Sequence, residues 1–159
     1  IPHVRRVRVH TRLPVVLPER IDAGFLAMWN SLRRLQRVVV IHANHAQELR
    51  AAADVHAALG ALRSSGTMLL NQSVLLRGVN DSVAALEDLS VALFESGVLP
   101  YYLHVLDPVR GAAHFNVPED LARRLHAELT ARLPGYLVPK LVREDSGAAS
   151  KTMLPPASR

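Results

Sequence analysis

Short, almost wholly apolar runs alternate along this chain with longer stretches whose apolar residues recur every three to four positions, and that alternation restricts the fold more than any other feature. The runs at 4–10 (VRRVRVH), 37–42 (RVVVIH), 67–76 (TMLLNQSVLL) and 99–107 (LPYYLHVLD) read as strands. Between them lie amphipathic helices. The first, over 23–35, has Asp22 as N-cap and Phe25, Trp29 and Leu32 on one face. The second, over 47–66, carries the stripe Leu49, His56, Leu59 and Leu62, with His56 read as a packed core histidine, and closes at Gly66. The third, over 80–97, starts at Asn80 or Asp81 as cap and stops at Gly97; Pro118 opens a fourth, whose Leu121, Leu125 and Leu129 repeat until Pro134 and Gly135. A short apolar stretch, 136–142, follows. Strands separated by helices require βαβ crossovers and hence a parallel sheet, open or curved toward a barrel, with ligand sites at the carboxyl ends of the strands.

The polar residues agree with that placement. His10, Thr11 and Arg12 follow the first strand; His42, Asn44 and His45 follow the second; Asn71, Gln72 and Ser73 fall in the third; His104 and Asp107 fall in or after the fourth. Each alone is also an ordinary loop or capping residue. Together on successive strands they predict one rim pocket. His42 and His45 do not make a metal site, because no third ligand stands at a suitable spacing.

Composition removes several classes. The chain has 159 residues and 49% hydrophobic residues, enough for one ordinary core. No apolar run approaches the roughly 20 residues of a membrane-spanning helix, so a soluble cytoplasmic protein is expected, with no membrane partner. Cysteine is absent, which removes disulfides, thiolate nucleophiles and cysteine-held clusters from this stretch. The net charge of +5 comes from scattered arginines, and aromatics are only 4%, so no nucleic-acid groove is expected. Only Lys140 and Lys151 carry primary side-chain amines. Lys151 sits in the small-residue stretch SGAASKT, where arginine would serve equally as surface charge but could form no imine.

Several segments, in order and at their intervals, resemble the carboxyl-terminal half of the lysine 2,3-aminomutases: IPHVRRVRVHTRLPVVLPERI, HANH, LLNQSVLLRGVND, PYYLHVLDPVRGAAHF and PKLVREDSGAASKT. These are radical S-adenosylmethionine isomerases that also use pyridoxal phosphate. HVLDPVRGAAHF and PKLVRE followed by SKT are more similar to the branch that makes β-lysine for elongation factor P than to the fermentative branch. The resemblance implies the second half of a (β/α)6 TIM-like barrel, about four β/α units over 1–135, with a carboxyl-terminal extension over 136–159 that carries the cofactor lysine. It implies an imine between Lys151 and pyridoxal phosphate, helped by small Gly147, Ala148 and Ala149 that admit a bulky cofactor. Desolvation or neighbouring positive charge would favour the free amine. Asp107 and Glu144 would hold the distal ammonium of lysine; His42, Asn44 and Gln72 would lie near adenosylmethionine; His104 would neighbour the pyridoxal ring. Arg143 and Asp145 are read as solvated neighbours.

One departure is large. The family holds its [4Fe–4S] cluster with a CxxxCxxC loop, and this chain has no cysteine. A four-stranded parallel piece would also leave an unpaired edge at its start. The chain is therefore expected to be a fragment, inactive alone, whose partner is the missing amino-terminal half of the barrel; self-association of exposed edges into a homo-oligomer is also open. A pyridoxal phosphate- or lysine-binding module without turnover, or a basic interaction module, are the alternatives from other classes.

Overall fold

The computed structural model describes residues 2–51 and 53–155. Strand β1 (Arg6–Thr11) leads into the short helix α1 (Leu13–Val16), a single 3-10 turn, and helix α2 (Ala23–Ser31). Then come β2 (Gln36–Ile41), α3 (Gln47–Arg50), α4 (Ala53–Ser64), β3 (Met68–Leu75), α5 (Val83–Glu95) and β4 (Leu99–Val105). Helix α6 (Glu119–Arg132), β5 (Lys140–Arg143) and β6 (Thr152–Met153) complete the described chain. The six strands form one sheet in sequential order; the first five run parallel and β6 returns antiparallel to β5. The α/β partial barrel expected from sequence is the architecture observed, extended by a fifth parallel strand and a closing antiparallel one.

Alternation along the strands sorts side chains onto two faces. Val7 and Val9, Val39 and Ile41, Leu69, Leu75, Leu103 and Val105, and Leu141 pack against the helices in two clusters. Trp29 and Leu62 lie in the first cluster, Leu125 and Leu129 in the second. Trp29 is buried, stacks on Phe25 at 5.9 Å between ring centroids, and donates from its indole nitrogen to Thr67 Oγ1 at 2.8 Å. Its large apolar area therefore enters the core with its one polar atom satisfied. Among the described residues, no helix is long and apolar enough to cross a membrane.

Helix boundaries follow local chemistry, with three departures from expectation. Asp22 caps α2 as expected, accepting from Phe25 N at 2.7 Å. Gly97, at φ +73°, ends α5; a Cβ there would lie 2.6 Å from the Arg63 guanidinium. The single helix expected over 47–66 is instead two: Leu49 and Val55 are both buried, and six residues apart on a continuous helix they would diverge by about 120° around its axis. Restarting at Ala53 lets both point inward. It also turns His56 to solvent, so His56 is not a core histidine. The cap of α5 is Ser82, accepting from Ala85 N at 3.2 Å, rather than Asn80 or Asp81. Asp81 closes the preceding turn onto Gly78 N at 3.0 Å.

Asn80 has other work. Its side chain is fully buried, accepts from Leu76 N at 2.7 Å, and donates to Asn44 O at 2.8 Å and Val74 O at 2.9 Å. Replacing it with alanine leaves three backbone groups unpaired. Asn80→Ala is expected to lower unfolding free energy by about 2–4 kcal/mol, read from the urea midpoint, whereas exposed His56→Ala stays within about 0.5 kcal/mol.

Candidate functional site

Parallel register carries side chains across the sheet in rows. Arg8 pairs with Val38 and His10 with Val40 between β1 and β2, while Val40 pairs with Leu70 between β2 and β3. Gln72 pairs with Tyr102 and Val74 with His104, and His104 in turn with Val142. These residues occupy the face opposite the helices. The register between β3 and β4 shifts after Asn71: Asn71 pairs with Pro100 and Gln72 with Tyr102, so Tyr101 is an extra residue. Such a bulge sends two consecutive side chains the same way, and the Tyr101 and Tyr102 rings indeed lie 3.9 Å apart. Without the bulge, the alternation beyond it would invert, putting Leu103 rather than His104 on this face.

A cavity of about 190 Å³ lies at the carboxyl tips of β2, β3 and β4, lined by His42, Gln72, Val74, His104, Asp107 and Glu144 among others. His104 is buried, edge-on to Tyr102 at 5.8 Å, and its Nδ1 lies 3.8 Å from Glu144 Oε1. Its Nε2 and the Oε1 of Gln72 are buried without a hydrogen-bond partner among the described residues. Two unsatisfied polar atoms at one cavity are the signature of a place where a polar ligand fits. Lys151 is ion-paired with Glu144, and its Nζ stands 5.5 Å from the centroid of the Tyr102 ring. The amine thus comes to the strand tips that provide His104 and Gln72. The His10 ring lies 6.3 Å from that of His42, at the edge of the group.

Electrostatics is consistent with that grouping. Burial lowers the His104 pKa, reinforced by the Lys151 charge and opposed by Glu144 and Asp107. Burial and Arg12 lower that of His42. His10 is lowered by burial, then by Arg8, His42 and Lys151. The hydrogen bond from Lys151 holds Glu144 below the usual carboxylate range. Among the described residues, the immediate neighbour of the Lys151 amine is an acid, Glu144.

Other rim residues brace the scaffold. Asn71 is buried and clasps Ala43, accepting from its N–H at 2.9 Å and donating to its carbonyl at 3.0 Å. Asn44 accepts from Val74 N at 2.9 Å. Ser73 is buried and reaches the Tyr102 carbonyl. Thr11 Oγ1 accepts from Leu13 N, His45 Nδ1 from Gln47 N, and Arg12 pairs with Glu48 at 2.6 Å. Asp107 is exposed at the cavity mouth. Arg143 and Asp145 are not idle solvated charges: Asp145 Oδ1 accepts from Arg143 Nε at 2.8 Å, its Oδ2 from Thr152 Oγ1 at 2.6 Å, and Arg143 also pairs with Glu119 on α6. Sequence reasoning missed Tyr102, whose spacing of two from His104 on a strand puts both on one face, and Glu48, whose Oε1 accepts from both Asn44 N and His45 N.

No protein-family model matches the chain. A radical SAM methyltransferase from Sphaerobacter thermophilus shares the fold, with a TM-score of 0.57 over 88% of this chain and 41% of that one, at 20% identity. The architecture is thus a partial β/α barrel of the kind a radical SAM enzyme contains. By sequence, the chain is related to proteins named L-lysine 2,3-aminomutase: 51% identical over 97% of its length to that of Escherichia coli, and 48% over 96% to that of Haemophilus influenzae. The Clostridium subterminale protein of that name is 37% identical over 98%. The chain spans 44% of the first two relatives and 36% of the third, less than half of each.

The three lowered imidazoles generate a pH dependence. Each binds its proton more readily unfolded than folded, so the associated stability is fully present above the ordinary value of 6.5 and is lost as pH falls below it. The urea midpoint is expected to drop as pH falls below about 6.5, and His104→Gln should flatten that drop most, being the most buried of the three.

Proposed function

We propose that the chain is the part of a lysine 2,3-aminomutase that carries the cofactor lysine and the substrate carboxylates, and that the whole enzyme, an isomerase of the cytoplasm, converts L-lysine to β-lysine. The observation that carries this reading is the Lys151 amine beside Glu144 and His104 at the strand-tip cavity, in a chain 51% identical to a protein of that name. Pyridoxal phosphate linked to the amino group would make it able to migrate, and adenosylmethionine with a reduced [4Fe–4S] cluster would supply the radical that starts the migration.

The residues present fit the first two groups. Lys151 offers a primary amine; His104 Nε2, buried and unpaired among the described residues, suits a polar ring substituent, and Gln72 Oε1, beside His42, would accept a donor from adenosylmethionine, whereas the Asn44 side chain is engaged by Val74 N and is left to brace the site. Gly147, at φ +80° with nothing within 4 Å of a Cβ position, leaves the loop room for a bulky ligand. Asp107 and Glu144 hold the distal ammonium of lysine, and an analogue that lacks that amine forfeits both charged contacts. The cluster does not fit: the chain has no cysteine, so its ligands come from the remainder of the enzyme, and the chain does not turn over alone. The HVLDPVRGAAHF and PKLVRE segments favour the branch serving elongation factor P over the fermentative one. Chirality of the β-lysine made by the whole enzyme separates the two.

Incubating the chain with pyridoxal phosphate and reducing with borohydride is expected to give one adduct, mapped by mass spectrometry to Lys151 and absent from Lys151→Ala. An adduct undiminished by that substitution, or found on Lys140 alone, defeats the assignment. With iron, sulfide and reductant, the isolated chain should show no cluster absorbance. In the whole enzyme, Asp107→Asn should raise KM for lysine by about 10- to 100-fold, through loss of a charged hydrogen bond.

A further inference from the structure

The neck of the Lys151 loop is already closed without any help from Lys151. Arg143 pairs with Thr152 where β5 meets β6, Leu154 N donates to Leu141 O at 3.0 Å, and Leu154 is buried in the core. Asp145 ties Arg143 to Thr152 across the neck, and Arg143 is anchored to Glu119 of α6. Glu144 and Lys151 are the residues just inside this neck, so they face each other by construction. Their ion pair is half-exposed, 49% for the Glu144 side chain and 27% for that of Lys151, and it adds little to a loop fastened on both sides.

The pair nevertheless commits the same carboxylate oxygen, Oε1, that approaches His104 Nδ1 at 3.8 Å in the cavity. On the functional reading above, on which this inference rests, that carboxylate must receive a ligand's ammonium. Two ammonium groups cannot share one carboxylate without repelling each other. We propose that Glu144 is an exchangeable counter-ion: it holds the Lys151 ammonium while that amine is free, and becomes a binding site for a ligand's primary ammonium once the Lys151 amine is capped or removed. Attachment of a carbonyl compound at Lys151 and binding of an amine-bearing amino acid at Glu144 are then positively coupled, each strengthening the other by the same factor. The order follows: the carbonyl ligand enters first, and the amino acid is held weakly until it has.

The experiment compares L-lysine binding to the full chain, to Lys151→Met and to Lys151→Met/Glu144→Gln, by titration followed with NMR. Norleucine, which has the same carbon skeleton without the distal amine, is the control. Lys151→Met is expected to bind L-lysine about 3- to 5-fold more tightly than the unaltered chain, and the second substitution to abolish the gain, with norleucine unaffected throughout. In the otherwise unaltered chain, Glu144→Gln should speed acetic anhydride labelling of Lys151 about 3-fold while leaving Lys140 as an unchanged internal reference. Equal lysine affinity in the chain and Lys151→Met, or labelling of Lys151 indifferent to Glu144→Gln, overturns the exchange. Either result leaves the borohydride adduct at Lys151 untouched, so the exchange and the proposed function fail separately.

Discussion

Three asparagine side chains lock the carboxyl tips of β2 and β3 to each other, and the cavity stands on those tips. Strand ends lose ladder partners just where the chain must turn away, and buried amides left there would each cost about 1–3 kcal/mol. Asn71 replaces the lost ladder by clasping both polar groups of Ala43, Asn44 takes the N–H of Val74, and Asn80 returns to Val74, Leu76 and Asn44. Side-chain amides have both donor and acceptor ends and so can imitate a neighbouring strand. The result fixes where His42 and Gln72 point, and leaves the cavity facing side chains that have no structural duty.

A second layer of constraint is ionic. Glu119, Arg123, Arg143, Asp145 and Thr152 form a continuous run of charged and polar contacts from α6 to the neck of the last loop. These groups are half-exposed, so no single pair is worth much. Their value lies in direction: a short loop of small residues would otherwise wander, and the run fixes its two ends relative to β5, within reach of His104. The arrangement separates two tasks. Asparagines and the ionic run provide rigidity, while Gln72, His104 and Asp107 face the cavity outside that bracing and Glu144 and Lys151 pair with each other at its edge.

Much of this was legible from periodicity. The order of strands and helices, the Asp22 cap, the Gly97 stop and the gathering of polar residues at strand tips all follow from local spacing. What escaped depended on contacts between distant residues. The break before α4 is visible only when Leu49 and Val55 are both known to be buried, and a stripe through Leu49 and His56 requires a continuous helix that the fold does not contain. Ser82 displaced Asn80 as the cap because Asn80 is claimed by groups up to 36 positions away. The two-residue strand β6 carries no periodic signal, and the extra residue Tyr101 is indistinguishable from its neighbours until β3 lies alongside. The polar rim divided for the same reason. Asn71 and Ser73 alternate with Gln72, so one residue of spacing separates a brace from a cavity wall.

The outer side of β1 has no strand beside it among the described residues, and its sequence is Arg6, Val7, Arg8, Val9, His10 and Thr11. A bare row of backbone donors and acceptors invites pairing with any extended segment. Cationic side chains at alternate positions make identical copies of this margin repel one another, while a segment with acidic residues at matching intervals would be drawn in. On that electrostatic ground alone, an acidic extended segment would suit this margin better than a second copy of the same strand.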